Sequence, residues 1–250
     1  MKIIIKSPEQ IEYMRQGGRI LASIVRKLGD LSVEGVSTIF LEKEARKLMA
    51  DLGVRSAFLG YEGYEFTSCY SVNDVVEHGL PSENVVLKKG DIIKIDSGIY
   101  YQGMITDHTI SVIVGGETTE TRRKLVECAK VALQNAIKDI KAGENLATIS
   151  NKINDTADIY GFIPVRELVG HGVGVKLHED PNISGYRGHA LDIVLKEGMT
   201  LAIETMINEK GWKCKTDKDG WTIRTNDGGD AAMFEHTVVI TKKGVEILTI

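Results

Sequence analysis

The sequence predicts an α/β protein of the α+β kind. It would be a single domain over residues 1–250, made of two pseudo-symmetric helix–helix–sheet halves at about 7–115 and 118–250. Three observations carry this. Stretches with apolar residues at helical spacing are followed by glycine-punctuated runs of short apolar segments that read as strands. That order, two helices and then strands, occurs twice. Finally, residues 86–96 (V-L-K-K-G-D-I-I-K-I-D) align without a gap onto residues 194–204 (V-L-K-E-G-M-T-L-A-I-E), and Gly53 and Gly161 stand at the same separation of 108 positions. Single matches among common residues mean little, but a joint match at one separation marks an internal duplication.

The elements follow in order. Ser7 before Pro8, with Gln10 three positions on, is a capping-box signature, and behind it Ile11, Met14, Leu21, Ile24, Val25 and Leu28 recur at helical spacing. A second helix starts near Ser37, carries Leu41, Ala45, Leu48, Met49 and Leu52 on one face, and stops at Gly53. Residues 54–114 read as strands and hairpins. In the second half Leu125, Ala129, Ala132, Leu133, Ala136, Ile137 and Ile140 form the apolar stripe of a third helix. A weaker fourth runs through Ile149, Ile153 and Ala157 to Gly161. Strands occupy the remainder, with residues 208–230 expected as a long hairpin anchored by Trp212 and Trp221.

Composition bounds the function. With 42% hydrophobic and 26% charged residues the chain has the make-up of a globular protein with a sizeable core. No apolar run approaches the ~18 residues of a membrane span. Ile3, Ile4 and Ile5 before Ser7-Pro8 are too few for a signal peptide, so a cytoplasmic location is expected. A net charge of −4 argues against direct nucleic-acid binding. Cys69, Cys128 and Cys214 are odd in number and lack C-x-x-C spacing, which predicts reduced thiols.

Several residues could carry chemistry. Asp96 and Asp107 bracket a turn-rich segment, and a symmetric hairpin centred on Tyr101-Gln102 would set them opposite each other on one face. Alone, such a pair reads more readily as two hairpin-end acids in solvent. Glu204 closes the apolar run 199–203, and Glu235 lies between Phe234 and His236 ahead of another apolar run. Acids in such places need a basic partner or a metal, and neither run has an obvious basic neighbour. His171 stands in Gly170-His171-Gly172-Val173-Gly174, where glycines let backbone or ligand approach closely. His178 and His78 (in Glu77-His78-Gly79) sit in comparable settings, although a lone histidine is more often structural. Four carboxylates and an imidazole form a hard, oxygen-rich set suited to Mn²⁺, Fe²⁺ or Co²⁺, and four acids suggest two ions sharing carboxylates.

These residues, with Val72-Asn73-Asp74-Val75-Val76-Glu77-His78-Gly79-Leu80-Pro81, Pro181 and Phe234-Glu235-His236-Thr237, resemble type I methionine aminopeptidases across nearly the whole chain. The resemblance implies the pita-bread fold of the creatinase/aminopeptidase group. It implies two divalent ions (cobalt, manganese, iron or zinc) held by Asp96, Asp107, His171, Glu204 and Glu235, with Asp107 and Glu235 bridging. A metal-bridging water would attack the first peptide bond and give its proton to Glu204. His178 would hydrogen-bond the carbonyl oxygen, His78 would contact the leaving-side nitrogen, and Asp96 with its ion would hold the free α-amine. Phe58, Tyr61, Tyr64, Cys69, Leu177 and Trp221 would wall the methionine pocket, with Cys69 an apolar wall and not a nucleophile. The implied substrates are N-terminal methionyl peptides and nascent chains with a small second residue; the ribosome is a candidate partner, and a monomer is expected. The sequence departs from the family's habit at Met104-Ile105-Thr106, His108, Leu168, Gly185 and Phe58, none of them a ligand.

Two other readings share these residues. Xaa-Pro aminopeptidases and prolidases use the same ligands, usually behind a separate N-terminal domain. A non-catalytic peptide-binding module on this fold typically loses ligands, and all five are present here.

Overall fold

The computed structural model describes residues 2–138, 140–188 and 192–250. In the first half, helices α1 (Pro8–Leu31) and α2 (Thr38–Asp51) precede strands β1 (Arg55–Ser56), β2 (Ser68–Val72), β3 (Val75–Glu77), β4 (Ile92–Tyr101) and β5 (Met104–Ile113). In the second, α3 (Glu120–Ile137) and α4 (Ala147–Tyr160) precede β6 (Ile163–Pro164), β7 (Val169–Gly172), β8 (Glu179–Ser184) and β9 (Thr200–Asn208). Then come β10 (Cys214–Thr216), β11 (Ile223–Thr225), β12 (Ala231–Ile240) and β13 (Val245–Ile247). The capping box at α1 forms: Ser7 Oγ accepts from the Gln10 amide at 3.2 Å, and Gln10 Oε1 accepts from the Ser7 amide at 2.9 Å. Two helix-end donors are thereby satisfied. Helix α3 stops at Ile137, short of the predicted Ile140, which is nonetheless fully buried in the same core. Apolar spacing there continues into the loop, so periodicity alone overran the helix.

Each half is organised around one long strand. β4 pairs with β5 on one edge and with β1 and β2 on the other; β9 pairs with β12 on one edge and with β6 and β7 on the other, all antiparallel. The same local bonds recur 108 positions apart. The bridge Ser37↔Val86 has its counterpart in Asn145↔Val194. Likewise the Gly35 amide donates to Leu87 O at 2.8 Å and the Gly143 amide to Leu195 O at 2.9 Å. The correspondence lapses after β9, where the β10–β11 hairpin intervenes before β12 and docks on β3 of the first half.

Two separate cores follow from this arrangement. α1 and α2 bury Leu21, Leu28, Leu41 and Ala45 against Ile93 and Ile95 of β4. α3 and α4 bury Leu125, Leu133, Ile149 and Ile153 against Leu201 and Ile203 of β9. At roughly 1.5–3 kcal/mol per buried large apolar side chain, each half has its own driving force for collapse.

The hairpin of β4 and β5 corrects one expectation. Its turn is Gln102-Gly103, with φ +49° and +79°, the doubly left-handed pair of a two-residue type I′ loop. Asp96 therefore pairs with Thr109 and Asp107 with Gly98. The two acids are diagonal neighbours on one face and not direct partners. The turn centre lies one residue later than predicted because Gly103 takes the second left-handed position without strain.

The halves meet where β5 faces β12, and side-chain hydroxyls supply the polar contacts. Ser111 Oγ donates to Met233 O at 2.6 Å and accepts from the Met233 amide at 2.9 Å. Reciprocally, Thr237 Oγ1 donates to Asp107 O at 2.8 Å and accepts from the Asp107 amide at 2.9 Å. Replacing Thr237 by Val keeps the shape but strands two buried backbone groups. Thr237→Val should lose about 1–3 kcal/mol of unfolding free energy in urea titration; a loss below a few tenths would show the seam to be held by packing alone.

Candidate active site

Strand alternation decides what faces the seam. Asp96 on β4, Asp107 and Thr109 on β5, Glu204 on β9 and Glu235 and Thr237 on β12 are all buried there. Glu204 and Glu235 are direct cross-strand partners, and His171 on β7 pairs with Ala202, two residues from Glu204. His171 Nε2 consequently lies 3.3 Å from Glu204 Oε1 and 4.0 Å from Asp107 Oδ2. Ligand atoms of Asp107, His171 and Glu235 all fall within 4.8 Å of one another. The Thr109 hydroxyl is 2.8 Å from both Asp96 Oδ1 and Glu235 Oε2, linking acids of opposite halves.

The glycines around His171 serve backbone packing more than ligand access. A Cβ on Gly170 would stand 2.6 Å from Ala202 O, and one on Gly172 would stand 2.4 Å from Asp180 O. Without them β7 could not lie close enough to β9 and β8 to bring the imidazole to the acids. The His171 Nδ1 is 2.8 Å from Gly172 O. A carbonyl only accepts, so Nδ1 carries the proton and Nε2 presents a lone pair to the cluster.

Electrostatics at this point are unfavourable to the bare protein. Burial, then Glu77, raises the Asp96 pKa to about 7. Burial also pushes Asp107, Glu204 and Glu235 well above the usual carboxylate range, with the neighbouring acids adding to it. Four carboxyls in a low-dielectric seam cannot all ionise without a cation. The donor set fits a divalent ion: carboxylate oxygens, one neutral imidazole lone pair, and Glu235 Oε1, which is buried with no hydrogen-bond partner.

The cluster forms the floor of a cavity of about 350 Å³. Every residue singled out from the sequence lines it: the five acid and imidazole groups, His78, His178, Phe58, Tyr61, Tyr64, Cys69, Leu177 and Trp221. Tyr64 and Trp221 meet edge-on at 5.0 Å, and His78 faces the Trp221 edge at 6.4 Å. The Tyr61 hydroxyl lies 2.7 Å from His178 Nδ1. Burial, then His171, lowers the His178 pKa to about 4, so the ring is neutral at pH 7. Burial pushes the Cys69 thiol well up, so it is a protonated wall group. Phe58 rests against β4 where Gly98 leaves room; a Cβ there would stand 2.8 Å from its ring.

Sequence reasoning missed some groups. Glu77 is buried, lines the cavity and adds to the charge around Asp96 and Glu204. It ends the apolar pair Val75-Val76, the same signal that singled out Glu204. Thr109 and Thr237 gave no signal, since nothing in a hydroxyl's spacing shows which strand it will face. Glu62, Glu167, Leu168, Val169 and Asn182 complete the lining.

A fold of two related halves with a buried acid–imidazole cluster at their seam defines a metallohydrolase class, and the chain belongs to metallopeptidase family M24, whose profile matches residues 12–242. The chain is 40% identical to the methionine aminopeptidase of Aquifex aeolicus, covering 100% of this chain and 99% of that one. The crystal structure of the Thermotoga maritima methionine aminopeptidase superposes with a TM-score of 0.96 at 43% identity, covering 99% of both chains. A prolidase from Pyrococcus furiosus is more distant, with TM-score 0.78 and 27% identity over 99% of this chain but 65% of its own.

The raised carboxyl pKa values have a stability consequence. Unfolded, these groups titrate near ~4; folded without metal, they hold protons to higher pH. The folded state then binds more protons than the unfolded one between those values, so metal-free stability falls as pH rises through that window. Metal-stripped protein should therefore melt lower at about pH 8 than at about pH 5, with added Mn²⁺ recovering the loss at the higher pH. A metal-free melting temperature that is flat or rises over this range would contradict the buried-acid description.

Proposed function

We propose that the chain is a metal-dependent methionine aminopeptidase that removes the initiator methionine from peptides and nascent proteins. The observation carrying this is an apolar, aromatic-walled slot that opens directly on the buried acid–imidazole cluster. Asp96, Asp107, His171, Glu204 and Glu235 would hold two divalent ions; cobalt, manganese, iron and zinc all suit this donor set. When bound, the ions lower the pKa of water and polarise the scissile carbonyl.

The chain's own residues do the rest. Glu204 takes the proton of the attacking water. The contact between the Tyr61 hydroxyl and His178 Nδ1 favours a tautomer with a proton on Nε2, free to be donated to the carbonyl oxygen as charge develops there. His78 contacts the nitrogen on the leaving side. Asp96 receives the free α-amine, which restricts cleavage to the N-terminal residue. Phe58, Tyr61, Tyr64, Cys69, Leu177 and Trp221 enclose the methionine side chain. Such a slot discriminates by about 1–3 kcal/mol per methylene, so other unbranched residues are slow substrates. A small second residue fits best beside the crowded floor. The catalytic unit is the whole chain, working as a monomer, with halves at about 7–115 and 118–250 as the recurring hydrogen bonds support. Among the described residues no helix is long and apolar enough to cross a membrane, in keeping with action in the cytoplasm on chains at the ribosome.

Prolidase activity is the alternative that the fold leaves nearest, and the greater sequence distance of the prolidase weighs against it. Turnover of Met-Ala-Ser should exceed that of any Xaa-Pro peptide; the opposite order would sink the assignment. Metal uptake without hydrolysis of either would point to a peptide-binding module. Glu204→Gln should lower kcat by about 10²–10⁴-fold with an unchanged circular dichroism spectrum. Near wild-type turnover in that variant would remove Glu204 from its role.

A further inference from the structure

Lys94 is 1% exposed, and among the described residues it enters no ion pair. It lies two residues before Asp96 on β4, on the same face. Its Nζ donates to Asn73 O at 2.7 Å and to Ala231 O at 2.9 Å. One carbonyl belongs to the turn between β2 and β3 in the first half, the other to the first residue of β12 in the second. Among the described residues both hydrogen bonds of this buried amine go to backbone carbonyls, with Asp230 and Asp74 acting on it only through space.

The segment it holds is a short strap, Asn73 to Gly79. The strap begins at Asn73 with φ +52° and ends at His78 with φ +56°, both left-handed and neither a glycine. Such conformations persist only where surrounding contacts over-determine them. Asn73 is tied from all sides: its amide donates to Ile92 O at 2.8 Å and its side-chain amide to Asp91 Oδ1 at 2.9 Å, while its carbonyl accepts from the Ala231 amide at 3.0 Å as well as from Lys94. At the other end the Gly79 amide donates to Ser71 Oγ at 3.0 Å. Lys94 and the Ala231 amide together join the start of this strap to β12, the strand that carries Glu235, and of the two only Lys94 also reaches the Ala231 carbonyl.

We infer that Lys94 is a positioning residue for His78: its ammonium clasps the two halves across the seam and fixes the strained strap that presents the imidazole to substrate. The role rests on the one proposed above for His78, whose contact on the leaving side is made during the reaction. Loosening the strap should therefore lower kcat and leave KM and metal affinity nearly untouched.

A double-mutant cycle tests this, with kcat and KM on Met-Ala-Ser and Mn²⁺ affinity by calorimetry for the wild type, Lys94→Met, His78→Ala and the double variant. Lys94→Met should reduce kcat by about 5- to 50-fold, in the range expected of sub-ångström to ångström misplacement, with KM and the Mn²⁺ Kd within about twofold. In the His78→Ala background the same substitution should have almost no further effect, because coupled residues are not additive. Lys94→Gln, which keeps a donor for one carbonyl, should recover part of the loss. If His78→Ala alone leaves kcat unchanged, the role of His78 fails and that of Lys94 with it. If His78→Ala is impaired and Lys94→Met still lowers kcat by its full factor in that background, the inference is overturned while the function stands. Loss of cooperative unfolding in both Lys94→Met and Lys94→Gln would make Lys94 a residue of stability only, which also overturns it.

Discussion

Everything near the centre of this molecule depends on burying several carboxyls of two chain halves within a few ångströms of each other. A single buried acid can find a base, but Asp96, Asp107, Glu204 and Glu235 have no Lys or Arg within ion-pair distance among the described residues. Among the described residues their close charge partners are each other, Glu77 and a neutral imidazole. Such a grouping is unfavourable in the bare protein. It persists because two well-packed cores on either side fix the strands that carry it, and a cation held there would reverse the sign of the interaction. Thr109 and Thr237 matter for the same reason: they occupy the lone pairs and backbone groups that the acids and strand edges would otherwise leave unmet.

The duplication explains why the seam is where the chemistry collects. Each half ends its long central strand's apolar run on an acid, Asp96 in one and Glu204 in the other, and both acids face the partner half. What breaks the symmetry is the second member of each pair. Asp107 returns from β4 through a two-residue turn, whereas Glu235 returns from β9 only after the β10–β11 hairpin. That hairpin docks on β3 through the pairs Ile223↔Glu77 and Arg224↔Val75. It thereby brings Trp221 over Tyr64 and opposite His78. One side of the slot wall, Trp221, thus comes from the part of the second half that has no counterpart in the first.

The sequence made the frame legible and left the contacts across it obscure. Capping at Ser7, the stripes of α1 to α4 and the match of 86–96 to 194–204 depend on local periodicity, which short stretches of chain encode directly. The acids at strand ends were visible because a charge closing an apolar run is unexpected in a core. Glu77 carried that signal too, but the run before it is two residues long. The turn of β4 and β5 was misplaced by one residue, since Gln102-Gly103 is a less familiar left-handed pair than Asn-Gly. Thr109, Thr237 and Lys94 were invisible for a different reason. Their importance comes from groups more than a dozen residues distant, and no spacing rule reports that.

The seam also ties assembly of the site to assembly of the fold. Neither half alone contains the cavity: the first supplies Asp96, Asp107, His78 and the aromatic pair Tyr61 and Tyr64, and the second supplies His171, Glu204, Glu235, His178 and Trp221. The polar contacts beside the acids are the reciprocal hydroxyl bonds of Ser111 and Thr237, the bifurcated Thr109 and the Lys94 clasp, set next to an apolar cluster that joins Met104 and Ile105 to Val173, Ala202 and Val239. Each polar contact of this kind adds about 1 kcal/mol net. A cation at the acids therefore does structural work as well as chemistry, drawing together residues from both halves at the place where the bare protein is weakest. The ion would act on the strands β4, β5, β7, β9 and β12 that carry its ligands, whereas the wall residues sit on β2 and on the loops around them, so the two parts of the site are held by different contacts.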